Sequence, residues 1–164
     1  MYKIDKIDKN IVDLVMEDGR MSCAEIARRI GGVTERIVRY RLERLIEEGV
    51  ITISAIVNPK VLGFPVYADV WIEVEAEKIL EVAQKMTEYD CISYVACSIG
   101  ESDVSVQVIA RDTQEVYRFV TGVIGKTPGV RKTTSSIVPL VMKDVYDWRI
   151  PEGACDELPE ESKK

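Results

Sequence analysis

Residues 31–51, GGVTERIVRYRLERLIEEGVI, decide how the chain is read. Thr34 offers an N-cap hydroxyl, and Val38, Leu42, Leu45 and Ile46 recur at helical spacing, which predicts a helix from about Glu35 to Glu48 with one apolar stripe. Gly49 is its stop signal. Glu35, Arg36, Arg39, Tyr40 and Glu43 stand on the other side, with Arg41 and Arg44 at the margins, a mixture able to reach base edges and phosphates. A solvated helix face would carry the same charges, so the preceding residues have to decide. Ser22 and Glu25 have capping-box spacing, Ile26, Ala27 and Ile30 continue at helical spacing, and Gly31-Gly32 makes a sharp turn. Helix, tight turn and basic helix is the order of a helix-turn-helix.

The chain has 164 residues, 46% hydrophobic and 30% charged, enough for one medium domain or two small ones with real cores. Its net charge of −6 argues against nucleic acid in total, because affinity for DNA rests largely on neutralising phosphates. The charge is unevenly placed, however. Residues 1–50 are neutral and residues 51–164 hold all the excess acid, while Ser22 to Arg44 contains six Arg against three Glu. That local basic patch can bring DNA to one end only.

Histidine is absent, and Cys23, Cys91, Cys97 and Cys155 form no Cys-x-x-Cys pair, which opposes a zinc site; no cofactor is expected. Cys23, Cys91 and Cys97 fall in helix or strand patterns, as small apolar fillers in a reduced protein. No apolar run approaches the ~20 residues that span a bilayer, and the start has no signal-peptide pattern. A cytoplasmic protein without a membrane partner is expected.

Ile4, Ile7, Ile11, Leu14 and Val15 mark a first helix, begun near Asp5 or Asp8 and ended by Asp18-Gly19, so three helices fill residues 5–48. Val50, Ile51, Ile53, Ile56 and Val57 are closely set and β-branched before Asn58-Pro59, and Ile51 to Val57 is read as a linking strand. From Phe64 the period alternates between two and 3.6. Strands are expected over Pro65 to Val74, Cys91 to Ile99, Asp103 to Ala110 and Gly129 to Val138, and helices over Ala76 to Glu88 and Thr113 to Ile124. The order βαββαβ makes an antiparallel sheet with both helices on one face, a ferredoxin-like plait, so the fold class is α+β with an N-terminal winged-type helix-turn-helix domain. Tyr67 and Trp71 share the strand face opposite Val66, Val70 and Ile72. Burial of that face against a second copy is the economical solution, and a homodimer is expected.

The order of these features resembles the Lrp/AsnC transcription regulators. It is carried by Asp5-x-x-Asp8, the Asp18-Gly19-Arg20 turn, Ser22-x-x-Glu25-x-Ala27, Arg41-Leu42-x-x-Leu45-x-x-x-Gly49-x-Ile51, Asn58-Pro59 and βαββαβ, over residues 4–142 or so. The resemblance implies binding of double-stranded DNA, a dimer joined through the sheets, further assembly of dimers into higher oligomers, and an amino acid or related metabolite as effector. The DNA-contacting set is then Thr34, Glu35, Arg36, Arg39, Tyr40 and Arg44. In such proteins the effector lies between dimers, at a Gly-x-x-Asp loop and at hydroxyl residues of the fourth strand. Gly100, Glu101, Ser102 and Asp103 with Thr133, Ser135 and Ser136 match those positions. A plain hairpin turn would also use Gly100 to Asp103. The residue before the Asp is aromatic in the family pattern and is Ser102 here, which leaves room for a ligand bulkier than glycine or alanine.

Past Val138 the chain carries Pro139, Val141, Val145, Tyr146, Trp148 and Ile150, read as a second strand able to pair with a partner's linker and with Trp148 docked. The acidic end from Pro151 is read as mobile. The domains expected are 1–50 for DNA binding, 51–63 as linker strand, 64–142 for dimerisation and effector, and 143–164 as strand and tail. Two other function classes fit the sequence less well. Proteins of this architecture that resemble sirohaem decarboxylases rely on histidine, absent here, and no nucleophile–base pair or carboxylate dyad can be assembled, so an enzyme is not expected. A metabolite-sensing or architectural scaffold with weak DNA binding is the alternative, opposed by Arg36, Arg39 and Tyr40, which have no packing reason to be there.

Overall fold

Three side-chain caps build the first unit of the computed structural model, which describes residues 2–155. Asp5 caps α1 (Lys6–Glu17), accepting the Asp8 N–H at 2.8 Å, and Asp8 returns the bond to the Asp5 N–H, which closes a full capping box. Ser22 caps α2 (Cys23–Ile30) through the Glu25 N–H at 3.2 Å. The box expected there is only half closed, because the Glu25 carboxylate turns to Arg28 and Arg29 instead. Gly31 and Gly32 follow with φ of 72° and 70°, left-handed conformations that a side chain would strain, and they turn the chain into α3 (Glu35–Glu47). Thr34 caps α3 through the Ile37 N–H.

Ile11, Val12, Ile26, Ala27, Val38 and Leu45 are the buried centre of this unit. Ile46, expected in the stripe, is 43% exposed: Val38 and Leu45 are the buried residues of α3, so its buried strip is narrower than the sequence pattern. The chain divides into two compact units: one runs to Ile56 and takes up the segment from Lys143 onward, the other is Val57–Met142. Ile51 to Val57 forms no strand, contrary to expectation, and neither does the segment after Lys143. A strand exists only against a ladder partner, and a single copy supplies none. The Lys143 segment instead makes an Asp144-capped turn at Val145–Asp147 and a second turn at Glu152–Ala154. Arg149 reaches Asp13 at 3.2 Å, Lys9 reaches Glu152 at 3.1 Å, and Ile150 packs on the helical core. Trp148, expected to dock, is 63% exposed; Ile150 is the anchor. Of the acidic end, Pro151–Cys155 is held as that second turn, and residues 156–164 lie outside the described residues.

The second unit has the expected order. β1 (Val66–Val74), α4 (Ile79–Met86), β2 (Ile92–Cys97), β3 (Val104–Ala110), α5 (Thr113–Gly122) and β4 (Val130–Val138) form an antiparallel sheet ordered β2-β3-β1-β4. The alternation along β1 buries Ala68, Val70, Ile72 and Val74, and Val104, Val106, Val108 and Ala110 of β3 lie on the same face. Val82, Ala83 and Met86 of α4, Val116 and Val120 of α5, and Ile124 close over them. Tyr89 and Phe119 meet edge to face at 5.2 Å where the two helices converge. On the other face stand Tyr67, Asp69, Trp71 and Glu73, with Tyr94, Gln107 and Ile109 beside them by register. Trp71 is 39% exposed there and Tyr94 55%. Cys97, read as a buried filler, is exposed because it ends an edge strand, whereas burial pushes the Cys91 thiol up.

Candidate DNA-binding surface and effector site

The packing of α3 decides which of its side chains are free. Val38 and Leu45 are turned to the core, which leaves Glu35, Arg36, Arg39, Tyr40 and Arg44 exposed. Each cation of the patch meets a different environment. Arg28 is bonded to Glu25, and Arg29 to Glu17 and Glu25. Arg39 Nη2 donates to Glu35 Oε1 at 2.6 Å. Arg44 lies over the Tyr2 ring, 5.1 Å from its centroid. Arg36 alone of the six has no acidic or aromatic partner among the described residues. The Thr34 hydroxyl is occupied as the cap, so its contribution to a DNA surface is the placement of the helix start.

Arg41, placed at the margin by the sequence pattern, turns inward. Its Nη1 donates to Asp5 Oδ2 and to Asp8 Oδ1, both at 2.7 Å, and the Tyr2 hydroxyl donates to Asp8 Oδ2 at 3.3 Å. Asp8 is 3% exposed and is the buried polar residue among the described residues of the unit. Burial by itself would raise the Asp5 carboxyl, but the Asp8 N–H and the Arg41 guanidinium outweigh it and hold Asp5 below its ordinary range. This clamp fastens α3 to α1, and no periodicity announces it; the signal in the sequence is the Asp5-x-x-Asp8 capping-box spacing itself.

In the second unit, Gly100 to Asp103 join β2 to β3. Asp103 ties this loop to its neighbours: its N–H donates to the Ile72 carbonyl, its Oδ2 accepts the Val74 N–H at 2.7 Å, and Arg131 stands 3.8 Å from the same oxygen. One carboxylate oxygen is therefore already occupied by main chain. Thr133 and Ser135 lie opposite Ile72 and Val70, on the helix-bearing face, while Ser136 lies opposite Asp69 on the other. Thr133 and Val104 flank Ile72 from opposite sides, about 10 Å apart across two strand spacings. Within one copy the structure brings the loop to Arg131 at the start of β4, and keeps it apart from Ser135. Gly100 and Glu101 are exposed.

Residues 4–52 match the family model for a winged helix-turn-helix DNA-binding domain, and residues 68–147 match that of the Lrp/AsnC ligand-binding domain. An uncharacterised HTH-type transcriptional regulator of Pyrococcus abyssi is 39% identical over 145 residues, 88% of this chain and 91% of the relative. The solved structure of AsnC from E. coli superposes with a TM-score of 0.80 at 24% identity, covering 88% of this chain and 99% of that one. A transcriptional regulator of Neisseria meningitidis, solved as its L-Met complex, gives a TM-score of 0.79 at 22% identity over 87% of this chain and 94% of its own.

Proposed function

Since this chain belongs to the Lrp/AsnC family of DNA-binding transcription regulators, we propose that it binds duplex DNA sequence-specifically as a homodimer, through α3, under the control of an amino acid or related metabolite. The family is one of regulators and not of enzymes. The observation that carries the specific reading is the outer side of α3. Arg36, Arg39 and Tyr40 are exposed near its start, where helix-turn-helix proteins touch base edges, and Arg36 is unpaired among the described residues. Two such helices in a two-fold dimer read a palindrome, and the open sheet face with Tyr67 and Trp71 supplies a surface for that dimer. Dimers in turn assemble further in this reading, with the effector between them. A cytoplasmic address follows from the DNA partner; no helix among the described residues is long and apolar enough to cross a membrane.

The effector reading rests on Gly100, Glu101, Ser102 and Asp103 of one dimer facing Thr133 and Ser135 of another. Asp103 Oδ1 has no donor among the described residues and is open to an ammonium group, while Oδ2 holds the Val74 N–H. The L-Met bound by the Neisseria regulator supports an amino acid of that bulk, as Ser102 in place of an aromatic residue also does. Asp103→Asn keeps an acceptor for Val74 and removes the charge, so it should abolish stabilisation by the ligand without unfolding the loop. Selection of genomic fragments by the purified protein, with and without mixed amino acids and at two salt concentrations, tests the whole reading. Recovery of a few fragments, with a set that changes on adding amino acids, supports it. Binding with no preference among fragments points to the architectural alternative.

A further inference from the structure

Six arginines crowd the helix-turn-helix, and acid partners or ring contacts engage all but Arg36, so the sequence's local excess of positive charge is largely internal. One of these pairs lies wholly on α3. Glu35 is the first residue of α3 and Arg39 stands one turn on, both exposed, on the side away from Val38 and Leu45. Glu17 ties Arg29 of α2, and Asp5 and Asp8 tie Arg41 of α3, to α1 and its cap; Glu25 holds Arg28 within α2, and Glu35 holds Arg39 within α3.

We propose that Glu35 is a specificity-determining residue, which holds Arg39 extended along the outer side of α3 so that the guanidinium meets a guanine edge and is withheld from the phosphates. The proposal rests on the DNA-binding reading above. The guanidinium has five N–H donors, and the contact to Glu35 uses Nη2 alone, so a pair of donors remains for O6 and N7 of guanine. Holding the side chain in one geometry removes rotamer freedom before DNA arrives. The carboxylate also acts against the wrong target, because a phosphate brought to Arg39 is brought to Glu35 as well, while the edge of guanine carries no net charge. Arg36, with no such partner, is free to meet a base edge or a phosphate. A surface pair that only supports the helix would have none of these consequences.

The test is selection from randomised duplexes by the full chain, wild type against Glu35→Gln and Arg39→Ala, with affinity for unselected DNA measured alongside and helix content checked. Wild type should enrich guanine at one symmetric pair of positions. Arg39→Ala should lose that preference by about 10- to 100-fold. Glu35→Gln, which keeps the shape and the helix, should bind unselected DNA several-fold more tightly and discriminate guanine several-fold less. Unchanged base preference and unchanged binding to unselected DNA in Glu35→Gln, beside a wild type that does select sites, would overturn the proposal and reduce the pair to helix support. A wild type that selects no sites fails earlier, at the DNA-binding reading itself.

Discussion

The two units solve the problem of a small core in different ways. The sheet unit buries fourteen apolar residues in one cluster between four strands and two helices, and needs no buried ion pair. The helical unit buries six and adds a polar clamp, Arg41 on Asp5 and Asp8, to fix how α3 lies on α1. Three short helices have few apolar contacts that distinguish one crossing angle from another, whereas a strand ladder sets its own register. In the proposed DNA-binding mode a displacement of α3 by about 1 Å would spoil its hydrogen-bond geometry to base edges, so the clamp sits in the unit where orientation would carry function.

Breaking the sheet unit's outer face gives the largest expected effect. In the proposed dimer Trp71 is a large aromatic at the centre of the open face, and Trp71→Glu would set a charge where apolar surface is buried. Loss of about 3 kcal/mol or more of association is expected, at least about 100-fold in the dissociation constant, by the measure of aromatic hot spots. Sedimentation over a concentration series reads it directly. A wild type that is a stable folded monomer at micromolar concentration ends the dimer reading.

Breaking the clamp comes next. Asp8→Ala leaves Arg41 with Asp5 alone and removes the acceptor of the Tyr2 hydroxyl. One-sided removal of a buried pair costs 3–5 kcal/mol in general, and Arg41 is 26% exposed, so about 2–3 kcal/mol is expected here. Hydrogen exchange should show α1 and α3 losing protection together while β1 and β3 keep theirs. Equal loss in both units would mean that the helical unit does not rely on its own clamp.

The contrast also explains what the sequence made legible. In the sheet unit the alternation of Ala68, Val70 and Ile72 against Tyr67, Asp69 and Trp71 states both faces, so the plait could be written down from period alone. In the helical unit the caps Ser22 and Thr34 and the turn at Gly31-Gly32 were equally plain. Ion-pair choices were not. Arg36, Arg39, Arg41 and Arg44 look alike in sequence, and only the packed positions of Asp5, Asp8, Glu35 and Tyr2 tell them apart. The linker and the Lys143 segment form no strand within one copy for a related reason: β-branched residues favour extension, but pairing needs a partner that a single copy does not hold. For the effector site, Gly-x-x-Asp named the loop and not the second task of Asp103, which is to hold the Val74 N–H.

Two arginines of α3 sharpen the distinction between positioning and reading. Arg36→Ala should cost about 1–3 kcal/mol at a specific site if it meets a guanine, with the site preference relaxed at that position. Arg44→Ala should lower affinity evenly across sequences and reduce the salt slope by about one, since it acts through phosphate once it leaves the Tyr2 ring. Unchanged binding by a folded Arg36→Ala, Arg39→Ala double variant would remove α3 from the DNA surface.

The smallest effect expected is that of acid, and it compares the two units in one sample. Asp5 is held low despite burial by the Asp8 N–H and Arg41, and Asp13 is held low despite burial by Lys9 and Arg149. A carboxylate whose folded pKa is depressed adds stability above its unfolded value, near 3.9 for Asp, and that contribution is lost as pH falls through the folded value. The helical unit should therefore weaken from about pH 4 downward. The sheet unit's counterpart is Glu115, which Arg111 holds down to about 2 through its side chain and its N–H. That pair stands at the surface, where solvent and salt screen it, so its loss should scarcely register. Hydrogen exchange between pH 5 and pH 2.5 should show protection falling in α1 and α3 before β1 and β3, and Arg41→Met should erase the difference that Asp5 makes. Simultaneous loss in both units, or a helical unit that keeps its protection to pH 2.5, would show that the Asp5 and Asp13 pairs hold no more than an exposed Glu–Arg pair does.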